Sequence, residues 1–298
     1  MDSEIHEAIK HIDSWTGKHV TLELLDKGLT NHIFKACVND DIFVLRIPGV
    51  GTDLFIDRDR EIDSWLIASE IGVAPEVVEH MKAGAVTITR YVSGTVLSAE
   101  MVAANTPILK RIIDTVKTVH SKAAFQSFFD PFVAIKTRLE YAERYSAALP
   151  SDIGWMLSLS DRIEQAMKRN KPEAVACHND LNPENFIDDG IRLWLIDWEY
   201  AGQSDPFFDL GNLRAEVPLS NDQEELIIKW YCGEVNYSRL CRMRLYKIIA
   251  DLSWGLWAIV QSKVSRKDFD FHQYGLARFE SLRKTTRDAD PGKWISAV

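Results

Sequence analysis

The stretch Cys177-His178-Asn179-Asp180-Leu181-Asn182-Pro183-Glu184-Asn185-Phe186-Ile187, followed by Leu195-Ile196-Asp197-Trp198-Glu199-Tyr200, constrains this chain more than any other. Between Asn185 and Asp197, the apolar residues Phe186, Ile187, Ile191, Leu193, Leu195 and Ile196 flank an Asp-Asp-Gly turn, the pattern of a short β-hairpin. Such a hairpin holds the polar side chains at its two ends at a fixed separation. A lone Asp, an Asn five residues on and a second Asp after a short apolar strand is the spacing of a base and two Mg²⁺ ligands in kinase-type phosphoryl transfer.

The chemistry explains these residue types. A substrate hydroxyl must be aligned with the γ-phosphate of ATP while its proton is accepted, and a loop carboxylate does this without itself carrying the phosphate. Asp180 is the candidate base. Mg²⁺ takes one or two protein oxygens and fills its other positions with phosphate and water, so Asn185 and Asp197 are the candidate ligands. His178 is expected to pack and orient, not to act as a base. The H-x-D-x-x-x-x-N string alone is also ordinary turn chemistry. The apolar-apolar-Asp-aromatic-Glu string, in the right order and at the right distance, favours the catalytic reading.

With 298 residues, 46% of them hydrophobic, the chain can form a two-lobed enzyme with a substantial core. A formal charge of −9 without any Lys/Arg block argues against a nucleic-acid partner. Cys37, Cys177, Cys232 and Cys241 form no C-x-x-C pair or zinc spacing, and the N-terminus lacks a signal-peptide core, so a reducing cytoplasm is the expected location. The longest apolar run, 248–260, is interrupted by Asp251 and falls short of the ~20 residues of a membrane span, so no membrane insertion is expected. Nothing in the sequence signals an oligomeric state.

An α+β organisation follows from the periodicities. Short β-branched runs at 20–25, 33–38, 42–47, 76–79 and 86–91 predict strands. One helix over 54–70, with Ile62, Leu66 and Ile71 near one face and Gly72 beyond its end, interrupts them. Helical spacing then predicts helices over 108–120, 133–149, 153–168, 223–231, 238–263 and 269–284. The expected division is a small β-rich lobe at 1–92 that binds nucleotide and a larger, mainly helical lobe at 93–298 that carries catalysis and substrate.

In the small lobe, the turn Lys27-Gly28-Leu29-Thr30-Asn31 occupies the place of a phosphate-covering loop, with backbone N–H groups near Thr30 and Asn31 and the Asn31 side chain as candidate phosphate contacts. Arg46 stands on the third strand where a protein kinase carries Lys. Glu61 on the following helix is its expected partner, although Arg58 and Arg60 beside it leave the choice of pair open. Adenine is expected against the segment 89–92, with Thr89, Tyr91 and Val92 as contacts.

Two further blocks carry a family resemblance. Ile196-Asp197-Trp198-Glu199-Tyr200 with Phe208-Asp209-Leu210-Gly211-Asn212 and Glu216, and Trp254-Gly255-Leu256-Trp257 with Gln261, Lys263, Phe269, Tyr274 and Ala277-Arg278-Phe279, resemble the choline/ethanolamine kinase family. This family lies within the wider aminoglycoside-phosphotransferase-like group, and the resemblance implies a two-lobed protein-kinase-like fold. It also implies that Tyr200, Trp254, Trp257, Phe269 and Tyr274 line a pocket for a small cationic alcohol, with Glu216 near the ammonium. Arg at the Arg46 position is itself a feature of choline kinases. Gln203-Ser204-Asp205-Pro206 departs from the aromatic-rich segment of animal members and looks more like bacterial ones.

The residues alone are compatible with this. On the helix at 238–263, Leu245, Ile248, Ile249, Leu252, Leu256 and Ile259 form an apolar stripe, while Trp254, Trp257 and Gln261 fall on the opposite side. Two Trp rings at that spacing can wall an aromatic cage, each face worth about 0.5–2 kcal/mol to a desolvated quaternary ammonium. The alternative is a helix buried all round with both rings in the core. The expected activity is ATP- and Mg²⁺-dependent phosphorylation of choline, with ethanolamine, thiamine or an aminoglycoside as alternative acceptors. A nucleotide-binding pseudokinase is the alternative of another class, disfavoured because Asp180, Asn185 and Asp197 are all present.

Overall fold

A computed structural model describes residues 12–25, 31–49 and 51–298. The β-branched runs form β1 (Val20–Leu24), β2 (Asn31–Val38), β3 (Asp41–Pro48), β4 (Val77–Met81) and β5 (Val86–Arg90). They pair antiparallel in the order β1-β2-β3-β5-β4. Alternation along β2 buries Phe34, Ala36 and Val38, which join Leu45 and Ile88 in a small core covered by Ile12 and Trp15. The turn residues 27–30, including the backbone contact expected near Thr30, lie outside the described residues.

The helix after β3 is shorter than expected. A separate 3₁₀ turn spans Thr52–Leu54, and α1 (Arg58–Glu70) starts where Asp57 accepts the Arg60 N–H at 3.2 Å. It ends in a Schellman motif: Gly72 takes φ 75°, its N–H bonds the Ser69 carbonyl at 3.0 Å, and the Val73 N–H bonds the Ala68 carbonyl at 3.1 Å. The buried face is Glu61, Ile62, Trp65 and Ala68, so the predicted Ile62/Leu66/Ile71 face is corrected and Leu66 is exposed. Glu61 must meet a cation on β3 to be buried at all, and this requirement sets the rotation of the helix.

Beyond β5 follow β6 (Thr95–Val96), α2 (Ala99–Ala104), α3 (Thr106–Lys122), α4 (Pro131–Arg144) and α5 (Ile153–Met167). Next come β7 (Val175–Cys177), β8 (Phe186–Asp188), β9 (Leu193–Leu195) and β10 (Gly202–Ser204). The chain closes with α6 (Pro206–Glu216), α7 (Asn221–Cys232), α8 (Tyr237–Val264), α9 (Phe271–Asp288) and α10 (Pro291–Ala297). The predicted hairpin is β8–β9, with Phe186 opposite Leu195 and β6 added on the β8 side. Its turn is held by Asp189 Oδ1, which accepts the N–H groups of Ile191 and Arg192 at 2.8 and 2.7 Å. The Leu195 N–H reaches the Val73 carbonyl at 2.8 Å and ties this hairpin to the segment after α1.

Helices α2, α6 and α10 are absent from the sequence expectation. In α6 the buried face includes Asp209, Gly211 and Asn212, so hydrophobic spacing conceals it. Helix α8 is enclosed on nearly all sides from Leu240 to Gln261. The predicted one-sided stripe is therefore corrected, because α4, α6 and α9 all pack on this helix. Close approach needs glycine there: a Cβ on Gly211 would lie 2.5 Å from Tyr246 Cβ and 2.8 Å from the Met243 carbonyl oxygen. Gly211→Ala is expected to destabilise the chain by about 1–3 kcal/mol in urea unfolding. Gly154→Ala, which meets nothing within 4 Å, should be neutral or stabilising by up to about 1 kcal/mol. An unchanged urea midpoint for Gly211→Ala would contradict the tight α6–α8 contact.

Candidate active site

Asp180 stands on a loop fastened from behind. Asn179 takes φ 65°, a left-handed conformation that Asn tolerates, and its Nδ2 donates to the Tyr200 carbonyl at 2.9 Å. Asp209 on α6 accepts the backbone N–H groups of His178 and Asn179 at 3.0 and 2.6 Å, and His120 Nε2 lies 2.9 Å from the same carboxylate. His178 Nδ1 accepts the Asp180 N–H at 3.3 Å while Nε2 bonds the Ile196 carbonyl at 3.0 Å, an arrangement that suits the neutral ring. Burial lowers the His178 pKa further, so this ring orients the loop, as its place in the motif suggests. Asn185 Nδ2 donates to the Asp180 carbonyl at 3.0 Å, which leaves the amide oxygen of Asn185 for a ligand.

Asp180, Asn185 and Asp197 together line a cavity of about 490 Å³ between the sheet and the helices. Burial, then the nearby charges of Glu216 and Glu199, push the Asp180 carboxyl up to about 7, against the pull of Arg138 and Arg278. A carboxyl near that value is suited to accept a proton at neutral pH.

A buried ion cluster borders the same cavity. Arg46 on β3 meets both Glu61 on α1 and Glu199, and its guanidinium lies 3.7 Å from Asp197 Oδ1. Arg58 Nη1 lies 2.7 Å from Glu61 Oε2 and 2.9 Å from Glu199 Oε1. Burial alone would push Glu199 up, but Arg46 and Arg58 outweigh it and hold its pKa below the usual range. Three carboxylates, Glu61, Asp197 and Glu199, thus face two guanidiniums. The deficit falls on Asp197, whose Oδ1 is buried without a hydrogen-bond donor and whose pKa is raised well above the carboxylate range by burial and then by Glu199. An orphaned carboxylate oxygen on Asp197 and the amide oxygen of Asn185, on two residues lining one cavity, are a donor set that fits a hard divalent cation.

Asn31 is the first departure from the expected site. Its side chain is buried, donates to Glu199 Oε1 at 2.8 Å and does not line the cavity. The amide completes the acceptor needs of a buried carboxylate and so is withdrawn from phosphate. Thr89, Tyr91 and Val92 do line the cavity, beside Leu25, Val44 and Ile187, and make an apolar slot at the sheet end.

At the opposite end, Tyr200, Glu216, Trp254, Trp257 and Tyr274 form the wall. Neighbouring rings meet edge to face: Tyr200–Trp254 at 5.0 Å, Trp254–Trp257 at 5.9 Å and Trp257–Tyr274 at 6.5 Å between centroids. Glu216 Oε1 lies 2.9 Å from Arg278 Nη1. Phe269 is the second departure. It is 40% exposed and does not line the cavity, because it belongs to the loop before α9, but it packs on Phe271 at 4.9 Å and on the wall ring of Tyr274 at 6.0 Å. Sequence reasoning quoted Glu199 and Asp209 within its motif blocks without their structural roles, and left out Arg138. The first two had a signal, an acid inside an otherwise apolar run, which must find a partner when buried. Arg138 lies among the spaced charges of α4 and had none.

A profile of the choline/ethanolamine kinase family matches residues 22–234. Protein LicA of Haemophilus influenzae is 28% identical over 267 residues, covering 86% of this chain and 77% of that protein. Ethanolamine kinase 1 of Mus musculus is 25% identical over 318 aligned residues, covering 91% of this chain and 85% of that protein. Among solved structures, a choline/ethanolamine kinase family protein from Mesorhizobium loti superposes with a TM-score of 0.86 at 30% identity, covering 99% of this chain and 98% of that one. An aminoglycoside phosphotransferase shares the fold alone, with a TM-score of 0.65 at 16% identity over 96% of this chain and 99% of its own. The small sheet joined to a helical body is thus the protein-kinase-like α+β fold, and this chain belongs to the choline/ethanolamine kinase family, phosphotransferases with an alcohol group as acceptor.

Proposed function

We propose that this enzyme transfers the γ-phosphoryl group of ATP to the hydroxyl of choline, with Asp180 as the base. The division of labour is a nucleotide-binding lobe at 1–92 and a catalytic and substrate-binding lobe at 93–298. The observation that carries this reading is that one cavity holds Asp180 together with three wall rings, Tyr200, Trp254 and Trp257, with Trp254 edge to face with each of the other two, and the carboxylate of Glu216. Aromatic faces attract a quaternary ammonium that can donate no hydrogen bond.

Adenine occupies the apolar slot beside Thr89, Tyr91 and Val92, and the phosphates extend toward Arg46. Asn185 and Asp197 would hold Mg²⁺, which supplies neutralising charge to the phosphate oxygens. Arg46, kept in place by Glu61 and Glu199, presents its charge at the same end. Asp180 accepts the hydroxyl proton as the oxygen attacks phosphorus.

Choline is favoured over the other alcohols by the wall chemistry. An aminoglycoside carries several ammonium groups and calls for several carboxylates, whereas this wall is built mainly of rings, with Glu216 and the nearby Glu184. Ethanolamine needs hydrogen-bond acceptors for a primary ammonium, and Glu216 is already engaged by Arg278. A panel of choline, ethanolamine, thiamine and an aminoglycoside in a coupled ADP-release assay should give choline the highest kcat/KM. A higher value for any other alcohol would reassign the acceptor, and Mg-ATP binding without ADP release from any of them would restore the pseudokinase alternative.

Two variants test the machinery. Asp180→Asn should lower kcat by about 10²–10⁴-fold with Mg-ATP binding retained in a thermal-shift titration. Retained turnover would mean that another group takes the proton. Asp197→Asn should abolish the Mg²⁺-dependent part of the ATP-induced rise in Tm, and an unaltered rise would place the metal elsewhere.

A further inference from the structure

Arg138 on α4 is 2% exposed, yet it makes no ion pair among the described residues. Its guanidinium donates to Ser253 Oγ and lies over two rings, 4.6 Å from the centroid of Trp254 and 5.6 Å from that of Tyr200. Both rings line the catalytic cavity and Arg138 does not, so the charge sits on the far side of the wall. A guanidinium stays protonated even in such surroundings.

The other buried guanidinium at this end is compensated. Arg278 lies 2.9 Å from Glu216 and 3.1 Å from Asp251, and Asp251 is shared with Lys247 at 2.6 Å. The wall is therefore electrically uneven. The faces of Trp254 and Tyr200 back onto an unpaired cation, whereas no cation–π contact involves Trp257 among the described residues.

A substrate with an ammonium at one end and a hydroxyl at the other meets five carboxylates along this cavity, Asp180, Glu184, Asp197, Glu199 and Glu216. An ammonium drawn to Asp180 would put the wrong end of the molecule at the base. A ring whose far face already carries a cation attracts a second one less, because the two charges repel through it.

We infer that Arg138 is a positioning residue whose unpaired charge behind Tyr200 and Trp254 repels the ammonium from the Asp180 end and leaves the Trp257 face as its seat, so that the hydroxyl faces the base. The inference rests on the proposed phosphorylation of a cationic alcohol and adds the residue that sets its orientation.

The test compares choline with its neutral isostere 3,3-dimethylbutan-1-ol at saturating Mg-ATP, in the wild type, Arg138→Met and Arg138→Lys. In Arg138→Met, kcat and KM for choline should fall together by about fivefold or more with kcat/KM nearly unchanged, the signature of nonproductive binding. The neutral alcohol, having no charge to misplace, should change by less than about twofold in either constant, and Arg138→Lys should behave as the wild type. Equal changes for the two alcohols, or an unchanged choline KM, would overturn the inference.

Should Arg138→Met fail to fold, Trp257→Leu and Trp254→Leu decide the matter. Trp257→Leu should raise the choline-to-isostere KM ratio about tenfold, and Trp254→Leu, whose ring is backed by Arg138, should raise it several-fold less. Equal effects of the two on the ratio overturn the inference. No choline turnover by the wild type would overturn the functional reading, and Arg138's role with it; choline turnover with both alcohols shifting alike overturns only the role of Arg138.

Discussion

Glu199 is the carboxylate on which the relation between sheet and helices depends. Asn31 from β2, Arg46 from β3 and Arg58 from α1 all end on it, although it belongs to the loop after β9. Removing one partner from such a buried group leaves a charge without compensation, a cost of about 3–5 kcal/mol, so the cluster acts as a lock and not as a loose surface bridge. The lock also sets the chemistry: its two guanidiniums are fewer than its three carboxylates, and the deficit remains at Asp197, at the place where a metal ion would supply charge.

The catalytic loop follows the same logic with hydrogen bonds in place of ion pairs. Asp209 holds the backbone on both sides of the His178–Asn179 peptide bond, and Asn179 bears a left-handed φ that the surrounding carbonyls stabilise. Strain at one residue is tolerated because its neighbours over-determine the conformation. Asp180 is consequently delivered to the cavity by a rigid support.

Burial has different consequences at the two ends of the cavity. At the sheet end it gathers two guanidiniums, Arg46 and Arg58, among three carboxylates and leaves the surplus negative charge at Asp197. At the aromatic end it pairs Arg278 but leaves Arg138 unmatched. Charges buried this far from solvent act over the length of a small substrate.

The sequence alone determined the sheet, most of the helices and the hairpin that holds Asn185 and Asp197, because period-2 and period-3.6 patterns and turn chemistry are local. The spacing of Asp180, Asn185 and Asp197 was legible for the same reason, whereas Glu61 was matched to Arg46 by analogy with a kinase lysine and its helix carboxylate, with Arg58 and Arg60 leaving the pair open. Tertiary structure decided which face of α1 is buried, since Glu61 had to meet Arg46, and it enclosed α8, whose apparent polar side is covered by other helices. It withdrew Asn31 to Glu199, left Phe269 off the cavity lining and put Arg138 behind two rings that are more than sixty residues away in the chain. Such placements are set by the need to compensate buried charge across long sequence separations, and no local pattern encodes which partner will arrive.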